Sequence, residues 1–187
     1  MSQLLAPAPA ALRGIPAFEG LPPEVLAWLL QAGELRQYAP DEVIVEPGAP
    51  ADRMLAVVAG AMQYYNVESG QHAPVFRVEA GHVTGVLPYS RLQVFRGQGV
   101  AAGDTTLYQL PRSQFPALEQ VSPELVQRLV GIMSDRARDE VRAQERDDKL
   151  RALGKLSAGL SHELNNPAAA IGRAADALNK HLCSSPM

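Results

Sequence analysis

Between Glu34 and Leu110 the chain consists of short apolar runs separated by glycine, proline and aspartate, and this spacing decides the fold class. Strands are predicted over Leu35 to Tyr38, Val43 to Val45, Met54 to Ala59, Ala61 to Val67, Pro74 to Val78, His82 to Val86, Leu92 to Arg96 and Thr105 to Leu110. Turn signals fall between them at Pro40-Asp41, Pro47-Gly48, Ser69-Gly70, Ala80-Gly81 and Gly103-Asp104. Evenly spaced short strands of this kind imply an antiparallel barrel or a jelly roll.

Helical signals flank the strands. Pro23 to Gln31 reads as a short helix opened by proline and stopped by Gly33, with Trp28 as the anchor that packs it on the sheet. Pro111 to Leu118 opens a second helical region, and Ser122-Pro123 places a cap residue before a proline at the first helical position. From Pro123 to Leu150 there is no further proline. Leu125, Val126, Leu129, Val130, Ile132 and Met133 supply an apolar first half, whereas Asp135 to Lys149 is dense in charge, the composition of an exposed two-stranded connector. The expected fold class is α+β: an antiparallel β jelly-roll barrel with flanking short helices and a long C-terminal helix. The expected domains are a disordered Ala/Pro-rich segment at 1–14, a jelly roll at 15–121, a connector helix at 122–149 and a further helix at 150–187.

Charge and composition narrow the function. A net charge of −3 offers nothing to a bulk polyanion, and Arg136-Ala137-Arg138-Asp139-Glu140 alternates in sign as a solvated face does. Nucleic acid is therefore not expected as a partner. No stretch approaches the roughly 18 apolar residues of a membrane span. The single cysteine, Cys183, fits a reducing compartment, so a cytoplasmic location is expected, with no metal site and no covalently bound cofactor.

The order Pro40-Asp41-Glu42-Val43-Ile44-Val45-Glu46-Pro47-Gly48, then Met54-Leu55-Ala56-Val57-Val58-Ala59-Gly60, then Gly81 and Gly85, then Leu107 to Leu110 ahead of Phe115 and Leu118, resembles the cyclic nucleotide-binding domain. In that family a short helix presents backbone N–H groups to the cyclic phosphate, an arginine neutralises it, and a glutamate after a glycine holds the ribose. The equivalent stretch here runs from Gly85 to Gln93. The resemblance makes Gly85, Val86, Tyr89, Ser90 and Arg91 the candidate ligand-binding residues, with Pro88 in the first turn of the helix and Arg91 as the cation. Arg91 equally fits a solvated surface arginine. Val86 stands where the glutamate is expected, and a ribose hydroxyl that loses its acceptor costs about 1–3 kcal/mol, which weakens binding about ten- to a hundredfold. The barrel thus reads as the seat of a cyclic nucleotide, another small ligand or a protein contact, or as a purely structural unit.

Further along, Leu150, Leu153, Leu160, Leu164, Ile171, Leu178 and Leu182 form a helical seam. His162 lies two residues from both Leu160 and Leu164, about 200° away from each, and so points off that seam. The run His162-Glu163-Leu164-Asn165-Asn166-Pro167 resembles the phosphoacceptor box of bacterial sensor histidine kinases. The resemblance implies that His162 is the phosphoacceptor, Glu163 orients its imidazole and Asn166 contacts the incoming phosphoryl group. An ordinary exposed histidine on a dimerising helix is the plain alternative. The expected partners are a second copy through the long helix, a histidine kinase ATP-binding domain and a response regulator. No glycine-rich nucleotide motif follows the box, so ATP is expected to act only through that separate domain, and the chain is not expected to phosphorylate itself. The leading expectation is the sensory and phosphoacceptor fragment of a two-component histidine kinase. The alternative is a stand-alone degenerate cyclic nucleotide-binding module acting as a dimeric scaffold.

Overall fold

The computed structural model describes residues 2–6, 9–67, 73–139, 141–146, 148–151 and 153. Two compact units divide the chain, Met1–Asp135 and Arg136–Met187. His162, Glu163 and Asn166 lie outside the described residues.

Among the described residues nine strands build the first unit: β1 (Gln3–Leu5), β2 (Glu34–Tyr38), β3 (Val43–Val45), β4 (Arg53–Ala59), β5 (Ala61–Asn66), β6 (Ala73–Glu79), β7 (Val83–Gly85), β8 (Gln98–Ala101) and β9 (Thr105–Pro111). They pair antiparallel into a five-stranded sheet ordered β1-β2-β9-β4-β7 and a four-stranded sheet ordered β3-β8-β5-β6. The sheets remain separate, which corrects the expected closed barrel: the architecture is a two-sheet jelly roll. Among the described residues β6 is paired on one side only, and Val75 and Phe76 are both exposed although successive residues point to opposite faces.

The apolar run of β4 explains its central place. Met54 and Ala56 point to one face, Leu55 and Val57 to the other, and all four are buried. The first face joins Leu35, Tyr108 and Leu110 under the helices α1 (Pro9–Leu12), α2 (Pro23–Ala32) and α3 (Phe115–Val121). The second face meets Val45, Met62, Val78 and Ala101 of the four-stranded sheet. A strand covered on both sides has no polar face to show, so its sequence does not alternate.

Two expectations are corrected, and the packing reaches beyond a third boundary. Residues 1–14 are not all without structure: β1 pairs with β2, and Leu12 of α1 is fully buried, so the Ala/Pro-rich start is tied to the core. The strand expected at Leu92 to Arg96 is reduced to one bridge between Val94 and Pro50, and the ladder forms instead at β8. The compact unit extends past the jelly-roll boundary expected at 121. Leu125, Val126 and Leu129 of the helical residues 123–135, here α4, are buried in the same core as Leu118, so this unit runs to Asp135. Ser122 caps the start of α4, its Oγ accepting the Leu125 N–H at 3.3 Å. Arg128 on α4 donates to the carbonyl oxygens of Ala17 and Glu19, at 3.1 and 2.5 Å.

In the second unit, residues 136–139, 141–146, 148–151 and 153 are helical. Arg142 meets Asp139 at 3.4 Å and Arg151 meets Asp148 at 3.7 Å, while Val141, Leu150 and Leu153 are exposed. Among the described residues no helix is long and apolar enough to cross a membrane.

Tyr108 joins α2 to the sheet. Its ring meets Phe18 edge-on at 6.1 Å, and its hydroxyl donates to the Leu29 carbonyl at 2.6 Å. Gly33 leaves the space this needs, since a Cβ there would lie 2.5 Å from the Tyr108 hydroxyl and 2.6 Å from the Gln109 carbonyl. Gly33→Ala is expected to cost about 1–3 kcal/mol in urea unfolding, because backbone sits on one side of the clash. Tyr108→Phe should cost only about 0.5–1.5 kcal/mol, since the Leu29 carbonyl keeps the Gly33 N–H at 3.0 Å. Burial pushes the Tyr108 phenol well above its usual range. The stability held by the neutral phenol is complete below about pH 10 and is lost as pH rises beyond it, so Tyr108→Phe should shift alkaline unfolding to higher pH.

Candidate functional site

The segment after β7 is where the sequence places its ligand-binding residues. Gly85 closes the strand at φ +72°, and a Cβ on it would lie 2.6 Å from the Arg53 carbonyl, so the position excludes a side chain twice over. The Val86 N–H donates to that same carbonyl at 3.0 Å. Its side chain, with 0% of its surface exposed, is packed between the sheets with Phe95, Leu55 and Tyr38, while Leu87 turns to the core on the helical side. Adjacent residues therefore plug both layers.

The short helix expected from Pro88 is not formed, which corrects the view of Pro88 as its first turn. Leu87 to Ser90 make a tight turn closed by the Ser90 N–H on the Leu87 carbonyl at 3.0 Å, with Pro88 leading and Tyr89 at φ +64°. That is a proline-led type II turn, whose third position normally takes glycine or asparagine. The chain then runs extended against 48–51, with the Ala51 N–H on the Gln93 carbonyl at 2.8 Å and the Phe95 N–H on the Ala49 carbonyl at 2.9 Å. A helix start would aim several N–H groups at an anion, whereas here the Ser90 N–H is taken by the Leu87 carbonyl and the Leu92 N–H by the Ser90 Oγ.

The five candidates are accordingly dispersed. Gly85 and Val86 are structural and inward. Tyr89 is 67% exposed, and its hydroxyl donates to the Glu119 carboxylate in a short hydrogen bond that raises the phenol pKa. The Ser90 Oγ accepts the Leu92 N–H at 3.2 Å. Arg91 is exposed and directed to no core. Sequence reasoning missed the two residues that hold this segment from outside. Arg112 donates through one Nη to the Leu92 carbonyl at 2.9 Å and through the other to the Ser90 carbonyl at 3.1 Å, and Glu119 holds Tyr89. Arg112 lies 20 residues or more from its partners in sequence, and no spacing rule joins them.

A second polar group lies inside the sandwich. Gln109 donates to the Tyr38 hydroxyl at 2.6 Å and accepts from Arg53 at 3.2 Å, and Asp52 holds the other side of that guanidinium at 2.8 Å. Burial raises the Tyr38 phenol pKa. Each member is satisfied, as buried polar atoms must be.

Two antiparallel sheets between helices, with a glycine-closed strand leading through a capping segment to β8 and β9, are similar in fold to a cyclic nucleotide-binding domain. The family model of the cyclic nucleotide-binding domain matches residues 35–121. Among solved structures, the catabolite activator protein of Thermus thermophilus is similar at a TM-score of 0.61 and 23% identity over 70% of this chain. The chain spans 62% of the length of that protein. A cyclic nucleotide-binding domain from Methylobacillus flagellatus KT gives 0.60 at 19% identity, over 74% of this chain and 84% of its own. A mutant regulatory subunit of a cAMP-independent protein kinase A from Trypanosoma brucei, bound to cAMP in its A site, gives 0.56 at 17% identity, over 68% of this chain and 45% of its own. These likenesses establish the fold. A search of curated proteins returned no match.

Val86→Glu, which restores the acid that the resemblance calls for, is expected to destabilise by about 3–5 kcal/mol in urea unfolding, since its carboxylate would be buried without a partner. Tolerance of this change at less than about 1 kcal/mol would mean that the inter-sheet space opens to solvent at Val86.

Proposed function

We propose that the first unit is a regulatory module of cyclic nucleotide-binding fold in which the ribose and phosphate grip has been given up. A small ligand or a protein partner instead engages the rim made by residues 87–93 and α3, and the response passes into α4. The observation that carries this reading is the fully buried Val86 where an acid is needed, followed by a turn where a helix start is needed. Two of the similar structures are regulators by name, an activator protein and a kinase regulatory subunit, which supports a role in control rather than catalysis.

Isothermal calorimetry tests the proposal. With cAMP, cGMP and cyclic dinucleotides, the expected result is binding weaker than about 100 μM or none. Saturable binding of cAMP or cGMP at about 1 μM or tighter overturns it.

A second reading concerns what the module controls, and the sequence motif at His162 favours it. Here the unit governs access to a phosphoacceptor helix in a homodimeric two-component kinase, with His162 taking the phosphoryl group, Glu163 orienting the ring and Asn166 steadying the oxygens. The family match ends at 121, so this reading rests on the motif. Incubation with a separate histidine kinase ATP-binding domain and labelled ATP should label the chain, and His162→Gln should abolish the label while light scattering still reports a dimer. Label that persists in His162→Gln removes the assignment.

A further inference from the structure

Along α2, apolar residues serve two purposes. Val25 and Leu29 are buried in the core, while Leu26, Ala27 and Leu30 continue at helical spacing into a second stripe on the flank of the helix. That stripe forms one wall of a cleft of about 750 Å³, which α2 shares with Arg13 and with the turn at 18–21. Sites for small ligands commonly measure about 300–1,000 Å³. The floor of this one is fixed in advance. Phe18, only 1% exposed, meets the Tyr108 ring edge-on at 6.1 Å, its N–H donates to the Ile15 carbonyl at 2.8 Å, and the Leu21 N–H donates to the Phe18 carbonyl at 3.3 Å. An apolar wall already ordered costs little more ordering when something enters.

Two charged side chains join the lining, Arg13 and Glu19. Glu19 also lines a second cleft on the α4 side, where the Arg128 guanidinium donates to its carbonyl at 2.5 Å, so a cation already stands beside it. Arg13 is exposed and, among the described residues, makes no hydrogen bond or ion pair. A planar guanidinium at the edge of an apolar cleft matches a carboxylate whose apolar tail lies inside.

We propose that this cleft is a binding site for a free monocarboxylic acid with an unbranched apolar chain, about eight to twelve carbons long. The chain lies between Leu26 and Leu30 of α2 and the ring of Phe18, and the carboxylate meets Arg13. The site shares no residue with the rim at 87–93 and α3, so it is independent of the regulatory reading above.

Calorimetry on the full chain with octanoate, nonanoate and decanoate tests the site, with decanol and decylamine as controls for the head group. Decanoate is expected to bind saturably at about 100 μM or tighter. Each methylene added from octanoate onward should tighten binding about three- to fourfold, the worth of one buried CH₂. Arg13→Gln, at an exposed position without a partner, should weaken decanoate about three- to tenfold and leave decanol unchanged. Ala27→Phe, which places a ring in the cleft from an exposed position, should weaken decanoate about tenfold or more while the melting temperature stays within about 3 °C of wild type. The assignment falls if decanoate fails to saturate below about 1 mM, or if affinity does not change with chain length. Decylamine binding more tightly than decanoate would make Glu19 the head-group partner and overturn it as well. Decanoate binding that survives Ala27→Phe unchanged would place the acid elsewhere on the molecule.

Discussion

Burial of the β4 and β9 pair on both faces is the constraint from which the rest follows. Six of the seven positions from Met54 to Val57 and at Leu107, Tyr108 and Leu110 are aliphatic, and all seven are buried. Completely burying one such side chain is worth about 1.5–3 kcal/mol, so this pair alone outweighs any surface ion pair in the molecule. The cost is that two separate layers must cover it. The four-stranded sheet covers one side and the helices at both ends of the unit cover the other, which is why α1 and α4, far apart in sequence, belong to one core.

That covering also explains the state of the candidate site. Between the sheets near the end of β7, Val86, Phe95 and Tyr38 fill the space. Polar groups that remain inside, such as Gln109 with Tyr38 and Arg53, are fully engaged with each other. The polar contacts to residues 87–93 lie outside, at a rim where a tyrosine, a glutamate and an arginine meet the segment in water.

Much of the fold was legible because turn residues and apolar runs fall at strand spacing: seven of the eight expected strands formed within a few residues of their places, and α2 begins at Pro23 as read. The eighth was expected too early in the chain: the ladder forms at β8, where the low strand preference of Gly99 hid a position at which Val45 and Met62 pack where a side chain would be. β1 was hidden by an Ala/Pro-rich context that reads as disorder, and only its pairing with β2 fixes it. The apolar half of α4 was visible as a pattern, yet nothing local said that it packs on this core rather than on a second copy. At the site, the resemblance put Val86 in the place of an acid, and the fold adds that its side chain is buried. Arg112 and Glu119 escaped notice because their partners are loop carbonyls and a hydroxyl brought near only by the completed fold.

One consequence concerns how the molecule stays apart from its neighbours. β6 borders its sheet with five wet residues in succession, a form of edge that invites another chain to add itself and begin a fibre. Pro74 withholds a donor at the start of that border, and the Arg77 and Glu79 ion pair at 2.6 Å sets charge along the rest. Solubility at this rim therefore depends on three side chains that contribute little to holding the domain together.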